Sequence, residues 1–339
     1  MLFPLGILGL LRGGAIGVDS FIGIAHDTSP YVSTYPWSAG FGTKYANPAT
    51  VPTGQGKGIA FSPSTSDIAI SHEVSPRISA YPWSAGFGTK YANPATLPAG
   101  TGYNVAFSYS SSHIAIAHDT TPFISTYPWS AGFGTKYANP ATLPAGVGKN
   151  VKFSPSGTDI AIGHANSPGI STYPWSAGFG TKYANPATLP AATVDGVDFS
   201  PSGTHIAITS SFSQPYVLAY PWSAGFGTKY ADPATLPPDN GNSVAFSPSG
   251  SDIAVGCGAT PWVLAYPWSA GFGTKYANPA TLPPNTARGV QFSNSGLNIA
   301  VAHLTTPFIS TYPWSSGFGT KYANPATLPA SNGSGVDFA

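Results

Sequence analysis

Short stretches in which bulky hydrophobic residues alternate with small or polar ones recur along the chain. In residues 113–118, two isoleucines occupy one face of an extended strand and alanines occupy the other. Residues 104–108 and 123–127 have the same character, and a segment from about residue 134 to 143 follows them. Turns rich in serine, glycine and proline separate these stretches. The pattern therefore predicts a unit of four antiparallel strands.

This unit recurs along the whole chain around the motif Tyr-Pro-Trp-Ser. Successive motif tryptophans are 46 residues apart, with one interval of 47. A period of this length is typical of the four-stranded blades of β-propellers. The sequence thus predicts an all-β fold, a seven-bladed β-propeller with four antiparallel strands per blade. The motif tryptophans are Trp37, Trp83, Trp129, Trp175, Trp222, Trp268 and Trp314.

The fourth stretch of each unit is expected to be the outermost strand of its blade. In the third copy it contains Pro140 and ends at Pro144. Proline cannot donate a hydrogen bond to a neighbouring strand, so it is tolerated only where one side of the strand is free. Lys136 in the same segment would also discourage pairing with another sheet edge.

The two ends of the chain predict how the ring closes. The first copy has no inner strand before residues 22–26, whereas residues 335–339 form an inner strand with no blade of their own after it. We therefore expect the C-terminal strand to complete the first blade, a one-plus-three closure. The predicted domains are an apolar N-terminal arm, residues 1–17, and the propeller, residues 18–339.

The inner strands resemble those of known propeller families. Val-x-Phe-Ser-Pro-Ser-Gly followed by Ile-Ala-Ile is similar to the YVTN and WD40 repeats, and the resemblance covers residues 18–339. The chain lacks the Gly-His pair and the Trp-Asp dipeptide of WD40 blades. The YVTN repeat is therefore the nearer comparison, and the structural tetrad of WD40 blades is not expected.

Charge argues against a nucleic-acid partner. Only 7% of the residues are charged and the formal net charge is +1, so no basic field would attract a phosphate backbone. The apolar N-terminus is too short to span a bilayer. It is interpreted as a docking arm, with a degenerate export signal as the alternative. The apolar residues of the arm are Leu2, Phe3, Leu5, Ile7, Leu8, Leu10 and Leu11.

A histidine lies 11 residues before the motif tryptophan in five copies, and Ser211 and Cys257 take its place in the other two. These histidines and the acids beside them are candidate ligand-binding residues. The alternative is a hydrogen-bonded histidine at the edge of the core between blades, which a serine or cysteine could replace. No shared metal site and no cofactor are expected. The candidates are His26, Asp27, His72, Glu73, His118, Asp119, His164 and His303.

The ring of motif tryptophans allows a second hypothesis for ligand binding. A tryptophan near a turn could stack on a sugar ring, and seven such sites would give avidity. The structural alternative is one tryptophan wedged between each pair of blades. No motif for a catalytic nucleophile, a phosphate-binding glycine loop or a metal site is present. The sequence therefore predicts no catalytic residue and a protein that is not an enzyme.

Differences between the copies gather in two sets of loops. The copies are nearly identical through Ser-Ala-Gly-Phe-Gly-Thr-Lys-Tyr-Ala-Asn-Pro-Ala-Thr, but they differ before the first strand and between the second and third strands. Both sets would emerge on the same face of a propeller. Variation confined to one face is typical of a recognition surface on a rigid scaffold, and neutral drift would look the same.

A second resemblance concerns function. The N-terminal run Met-Leu-Phe-Pro-Leu-Gly-Ile-Leu is similar to the start of minor structural or tail-associated proteins of tailed bacteriophages, and repetitive Tyr-Pro-Trp-Ser propellers are similar to products of marine phage genomes. This resemblance implies a virion structural protein whose arm binds other virion proteins and whose disc attaches to the host surface. The alternative is a secreted, lectin-like bacterial propeller that binds carbohydrate.

Overall fold

Seven three-stranded antiparallel sheets make up a propeller-like, all-β fold. The computed structural model describes residues 19–190 and 192–339. These residues contain no helix, and hence none long and apolar enough to cross a membrane. The docking arm predicted for residues 1–17 lies outside the described residues.

Each sheet contains an inner, a middle and an outer strand. The inner strands are β3 (Gly56–Phe61), β6 (Gly102–Phe107), β9 (Gly148–Phe153), β12 (Val194–Phe199), β15 (Gly241–Phe246), β18 (Ala287–Phe292) and β21 (Gly333–Phe338). The middle strands are β1 (Phe21–His26), β4 (Asp67–His72), β7 (His113–His118), β10 (Asp159–His164), β13 (His205–Ser210), β16 (Asp252–Cys257) and β19 (Asn298–His303). The outer strands are β2 (Val32–Pro36), β5 (Ile78–Pro82), β8 (Ile124–Pro128), β11 (Ile170–Pro174), β14 (Val217–Pro221), β17 (Val263–Pro267) and β20 (Ile309–Pro313).

The two faces of a middle strand differ in bulk, and this difference packs neighbouring sheets together. Ala115 and Ala117 of β7 lie in one cluster with Ile160 and Ile162 of β10, and all four are fully buried. The alanine face of one sheet therefore accommodates the isoleucine face of the next. The same arrangement between every pair of neighbours gives a continuous core without large voids.

The predicted fourth strand is absent, so each blade has three strands and not four. After β8 the chain turns and returns beside it, but only the amides of Gly134 and Tyr137 donate to it, to the carbonyls of Pro128 and Thr126. A single isolated bridge precedes these bonds. The prolines that were predicted to mark an edge strand instead prevent a ladder, because they supply no N–H group.

The C-terminal strand β21 lies in the same sheet as the first strand of the chain. It pairs antiparallel with β1, and Ile24 lies opposite Val336. The carbonyl of Ala339 accepts hydrogen bonds from the amides of Ser20 and Phe21, at 2.7 and 2.9 Å. β21 also packs beside the inner strands β3 and β18, as each other inner strand packs beside two neighbours.

A polar network links neighbouring blades near the motif tryptophans. Asp252 accepts hydrogen bonds from the hydroxyl of Tyr276 at 2.7 Å and from the indole Nε1 of Trp314 at 3.3 Å. Asp67 and Asp159 make the same pair of bonds in their sheets. Two sheets carry a histidine at this position, which bonds to the tyrosine but leaves the indole without a partner.

We expect Asp252→Ala to destabilise the protein by about 2–4 kcal/mol, because the buried indole of Trp314 and the half-buried hydroxyl of Tyr276 lose a charged acceptor. Urea unfolding followed by tryptophan fluorescence measures this change. Asp252→His is the matched control, since it introduces the residue found at His113 and His205 and keeps the tyrosine bond. It should cost less than half as much. Equal losses for the two variants would contradict the assigned role of the carboxylate.

Candidate functional site

A β-bulge in every inner strand directs one extra side chain into a central cavity. In each sheet the pairing between inner and middle strand shifts by one residue near the start of the inner strand, and the unpaired residue lines a central cavity. Bulges of this kind commonly re-aim a side chain beside a functional site. The bulge residues are Lys57, Tyr103, Lys149, Asp195, Asn242, Arg288 and Ser334.

The central cavity has a volume of about 1460 Å³ and runs along the inner strands. We call the end at the bulge residues the mouth. Three residues further along each inner strand, about 10 Å deeper, lies a second set of positions, which we call the floor. Four of these carry polar side chains that line the cavity: Lys152, Asp198, Gln291 and Asp337.

The mouth carries three cations from different sheets. Lys57 forms an ion pair with Asp27 at 3.8 Å, and the ammonium of Lys149 lies 4.2 Å from the centre of the Tyr103 ring. Arg288 is exposed. The carboxylate of Asp195 accepts a hydrogen bond from the hydroxyl of Ser211, and its burial raises its pKa.

The floor brings one lysine and two aspartates together. Lys152 forms an ion pair with Asp198 at 3.8 Å. Burial lowers the pKa of Lys152, but the carboxylates of Asp198 and Asp337 outweigh this effect and its pKa is raised. Burial raises the pKa of Asp198, and it raises the pKa of Asp337 to about 6. The amide of Phe61 donates a hydrogen bond of 2.8 Å to Asp337.

The five histidines singled out in the sequence lie at the ends of middle strands, fully buried. Each ring places Nε2 3.0 Å from a serine hydroxyl of the adjacent outer strand. Burial lowers the pKa of four of them to about 4 and also lowers that of His164. Counting 11 residues back from the motif tryptophan predicted Ser211 at the histidine position of one copy. The strand pairing places Ser210 at this position, because the loop that follows is longer by one residue.

The three acids beside these histidines do not converge. Asp27 reaches the mouth through Lys57, whereas Asp119 accepts hydrogen bonds from the amide of Thr101 and the hydroxyl of Thr120 in its own sheet. Glu73 is exposed. A ligand-binding role for the histidines and acids as a set stays a prediction.

The motif tryptophans are wedged between sheets, with 2–5% of each residue exposed. Trp129 is typical, since its ring lies edge-on to Tyr91, Phe107 and Phe133 at centroid distances of 5.0–5.3 Å. In this arrangement their faces are covered by other aromatic rings. Stacking on a sugar by these tryptophans stays a prediction.

The sequence analysis did not predict the residues of the floor. Their signal is the x position of the inner strands, which read approximately Val-x-Phe-Ser. This position is alanine in three copies and Lys152, Asp198, Gln291 or Asp337 in the others. Part of the variable segment before the first strand, which was interpreted as loop, is the start of the inner strand and lines the cavity. Among the described residues, no cluster of histidine, cysteine or acidic side chains could hold a metal ion.

Comparison with known proteins shows a shared fold. No protein-family model matches the chain, and no curated protein matches its sequence. A candidate 6-phosphogluconolactonase of Bacteroides uniformis superposes with a TM-score of 0.70 at 15% identity, over 95% of this chain and 100% of the other. The periplasmic gluconolactonase PpgL of Pseudomonas aeruginosa has a TM-score of 0.68 at 12% identity, over 94% and 98%. A protein of Lactobacillus plantarum has a TM-score of 0.73 at 14% identity, over 95% and 99%.

These neighbours contradict several expectations drawn from the sequence. The named enzymes among these neighbours are lactonases and a hydrazine synthase of Kuenenia stuttgartiensis, and none of them is a virion component. The predictions of a non-enzymatic virion protein and of a virion location are therefore wrong. The alternative of a secreted lectin finds no support in these names. The comparisons also supply no evidence for membership of the YVTN or WD40 families. Short apolar and repetitive segments resemble many proteins by chance, which explains the error.

Proposed function

We propose that this chain hydrolyses sugar lactones and that its active site is the floor of the central cavity. One observation carries the proposal: where seven repeats are otherwise nearly identical, charged residues that break the repeat converge in one cavity. Convergent polar groups in a large cavity are the usual mark of a binding site. The names of the structural neighbours suggest the chemistry.

Asp337 has the properties of a general base. Its pKa of about 6 leaves it ionised at neutral pH, yet basic enough to accept a proton. In the proposed reaction a water oxygen bonds to the lactone carbonyl carbon while its proton moves to Asp337. The carbonyl then re-forms, the ring C–O bond breaks, and the ring oxygen takes the proton from Asp337. The product is the open hydroxy acid.

Lys152 would stabilise the negative charge on the carbonyl oxygen during attack. A cation that is already in place when the charge develops stabilises it without reorganisation. Asp198 is proposed as a positioning residue, since its ion pair holds Lys152 and favours the charged ammonium. The cations of the mouth, Lys149 and Arg288, would attract a substrate that carries a phosphate or carboxylate group.

We also infer that the seven sheets form a closed seven-bladed propeller in which β21 completes the first blade. The pairing of β21 with β1 supports this arrangement, as does the packing of β21 between β3 and β18. Closure matters for the active site, because it holds Asp337 opposite Lys152.

We expect Asp337→Asn to lower kcat/KM for D-glucono-1,5-lactone by at least about 100-fold, because it removes the general base. Activity of the wild-type protein should fall below pH 6, since protonation of Asp337 removes the acceptor for the proton. Lactone hydrolysis followed by pH-stat titration, corrected for the spontaneous reaction, measures both effects.

Asp232→Asn is the matched control for this test. Asp232 pairs with Lys229 in the segment after an outer strand, and the other six copies carry asparagine at its position. The control should retain full activity. The proposal would be contradicted if the wild-type protein hydrolysed neither phosphorylated nor unphosphorylated sugar lactones. Full activity in Asp337→Asn would also contradict it.

A further inference from the structure

One aromatic residue breaks the repeat beside the floor of the cavity. The turn after each inner strand reads Ser-Pro-Ser in four copies, but the third copy has Tyr109 in place of the proline. Tyr109 lines the same cavity as Lys152, Asp198 and Asp337. It is 55% exposed, whereas nearly all other large aromatic residues of the described chain are buried or half-buried.

The turn that carries Tyr109 is rigid. The hydroxyl of Ser108 accepts a hydrogen bond of 3.1 Å from the amide of His113 and lies 3.0 Å from the hydroxyl of Ser110. The amide of Ser111 donates to the carbonyl of Ser108 at 2.8 Å. The same bonds recur around Ser154, in a copy that has proline at the position of Tyr109. The backbone that carries the ring is therefore tied in place before a ligand binds, which lowers the cost of ordering the turn.

Tyr109 also lies within electrostatic reach of the floor. Burial of its hydroxyl raises the pKa of Tyr109, and the charge of Asp198 raises it further while that of Lys152 lowers it. The ring thus offers an open apolar face beside the charged groups that we assign to catalysis. A pyranose-sized lactone has the matching shape, with apolar C–H groups on one face and a polar carbonyl at its edge.

We propose that Tyr109 is a specificity-determining residue that stacks against the ring of a sugar substrate and orients its carbonyl toward Lys152. This inference rests on the proposed function of the floor, and it adds the requirement for a flat, sugar-like ring. Such a contact is made in both the ground state and the transition state, so its loss should raise KM and leave kcat nearly unchanged.

The test compares Tyr109→Pro with Tyr109→Phe. Tyr109→Pro restores the turn sequence of four other copies and should fold normally, as a melting curve checks. We expect it to raise KM for D-glucono-1,5-lactone about 10-fold. Binding of D-glucono-1,5-lactam, which keeps the six-membered ring and the carbonyl but has an amide in place of the ester, should weaken by the same factor in calorimetry. Tyr109→Phe keeps the ring and should match the wild-type protein in both measurements.

The binding measurement separates this inference from the proposed activity. Weaker lactam binding in Tyr109→Pro alone, in a protein that hydrolyses no lactone, would support stacking and reject the lactonase. Hydrolysis with identical KM and lactam affinity in all three proteins would reject the role of Tyr109 and leave the lactonase standing. Loss of kcat instead of affinity would also overturn it, since that result indicates a structural effect on the floor. A wild-type protein that neither binds the lactam nor hydrolyses the lactone would reject both.

Discussion

Deletion of residues 335–339 is expected to unfold the protein or to lower its Tm by about 10 °C or more. The deleted residues include most of β21, which pairs with β1 and packs beside β3 and β18. Phe338 is 3% exposed and lies edge-on to Trp37 at 5.4 Å. Loss of one buried phenylalanine side chain costs about 3–5 kcal/mol, against a total stability of about 5–15 kcal/mol for a typical domain.

Differential scanning calorimetry of the full and truncated chains measures this effect. An extension of five glycine and serine residues after Ala339 is the matched control, because it alters the chain end but leaves β21 in place. The extended protein should melt with the wild-type protein. A truncated protein that melts at the wild-type temperature would show that the ring does not depend on the C-terminal strand.

Acid is expected to unfold the protein between about pH 6.5 and 4 because of its buried histidines. His26, His72, His118 and His303 have folded-state pKa values of about 4, caused by burial. An unfolded histidine binds its proton near pH 6.5. Since the folded pKa is the lower one, the unfolded chain takes up more protons as the pH falls. The stability is complete above pH 6.5 and is lost as the pH falls toward 4.

The size of this effect follows from the shifts. At pH 5 each such histidine destabilises the folded state by about 2 kcal/mol, so the four together cost about 8 kcal/mol. That is a large part of the stability of a typical domain, about 5–15 kcal/mol. Protonation of Asp195, Asp198 and Asp337, whose pKa values are raised, acts in the opposite direction but involves fewer groups than the five buried histidines. Circular dichroism as a function of pH locates the midpoint.

The chain contains a matched control for the histidine effect. Each buried histidine faces a serine of the outer strand, as His118 faces Ser125, whereas the sheet with Cys257 has Leu264 at the facing position. The double variant His118→Cys, Ser125→Leu introduces this cysteine–leucine pair into a blade that has the histidine–serine pair. Its acid midpoint should move to lower pH. An unchanged midpoint would mean that acid unfolding arises from the carboxylates instead.

The local sequence pattern predicted much of the fold. The number of sheets, the strands β1–β21 and the alternation of isoleucine and alanine all follow from a repeat that can be read within 46 residues. The fourth strand was predicted wrongly, since an outer segment makes few hydrogen bonds and its prolines were compatible with either an edge strand or none. Alternation predicts which residues are extended, but it does not predict whether a ladder forms.

The sequence by itself determined the repeat, the all-β class and the alternation of bulky and small residues, because these are set by local periodicity within each copy. The tertiary structure decided the candidate site. Lys152, Asp198 and Asp337 are separated by up to 185 residues, and only the packing of the sheets brings their inner strands around one cavity. It also decided that the histidines and tryptophans are buried, and it revealed a likeness to lactonases that 11–15% identity had hidden. The sequence shows what each repeat contains, whereas the convergence of charged residues in one cavity depends on how the sheets pack beside one another.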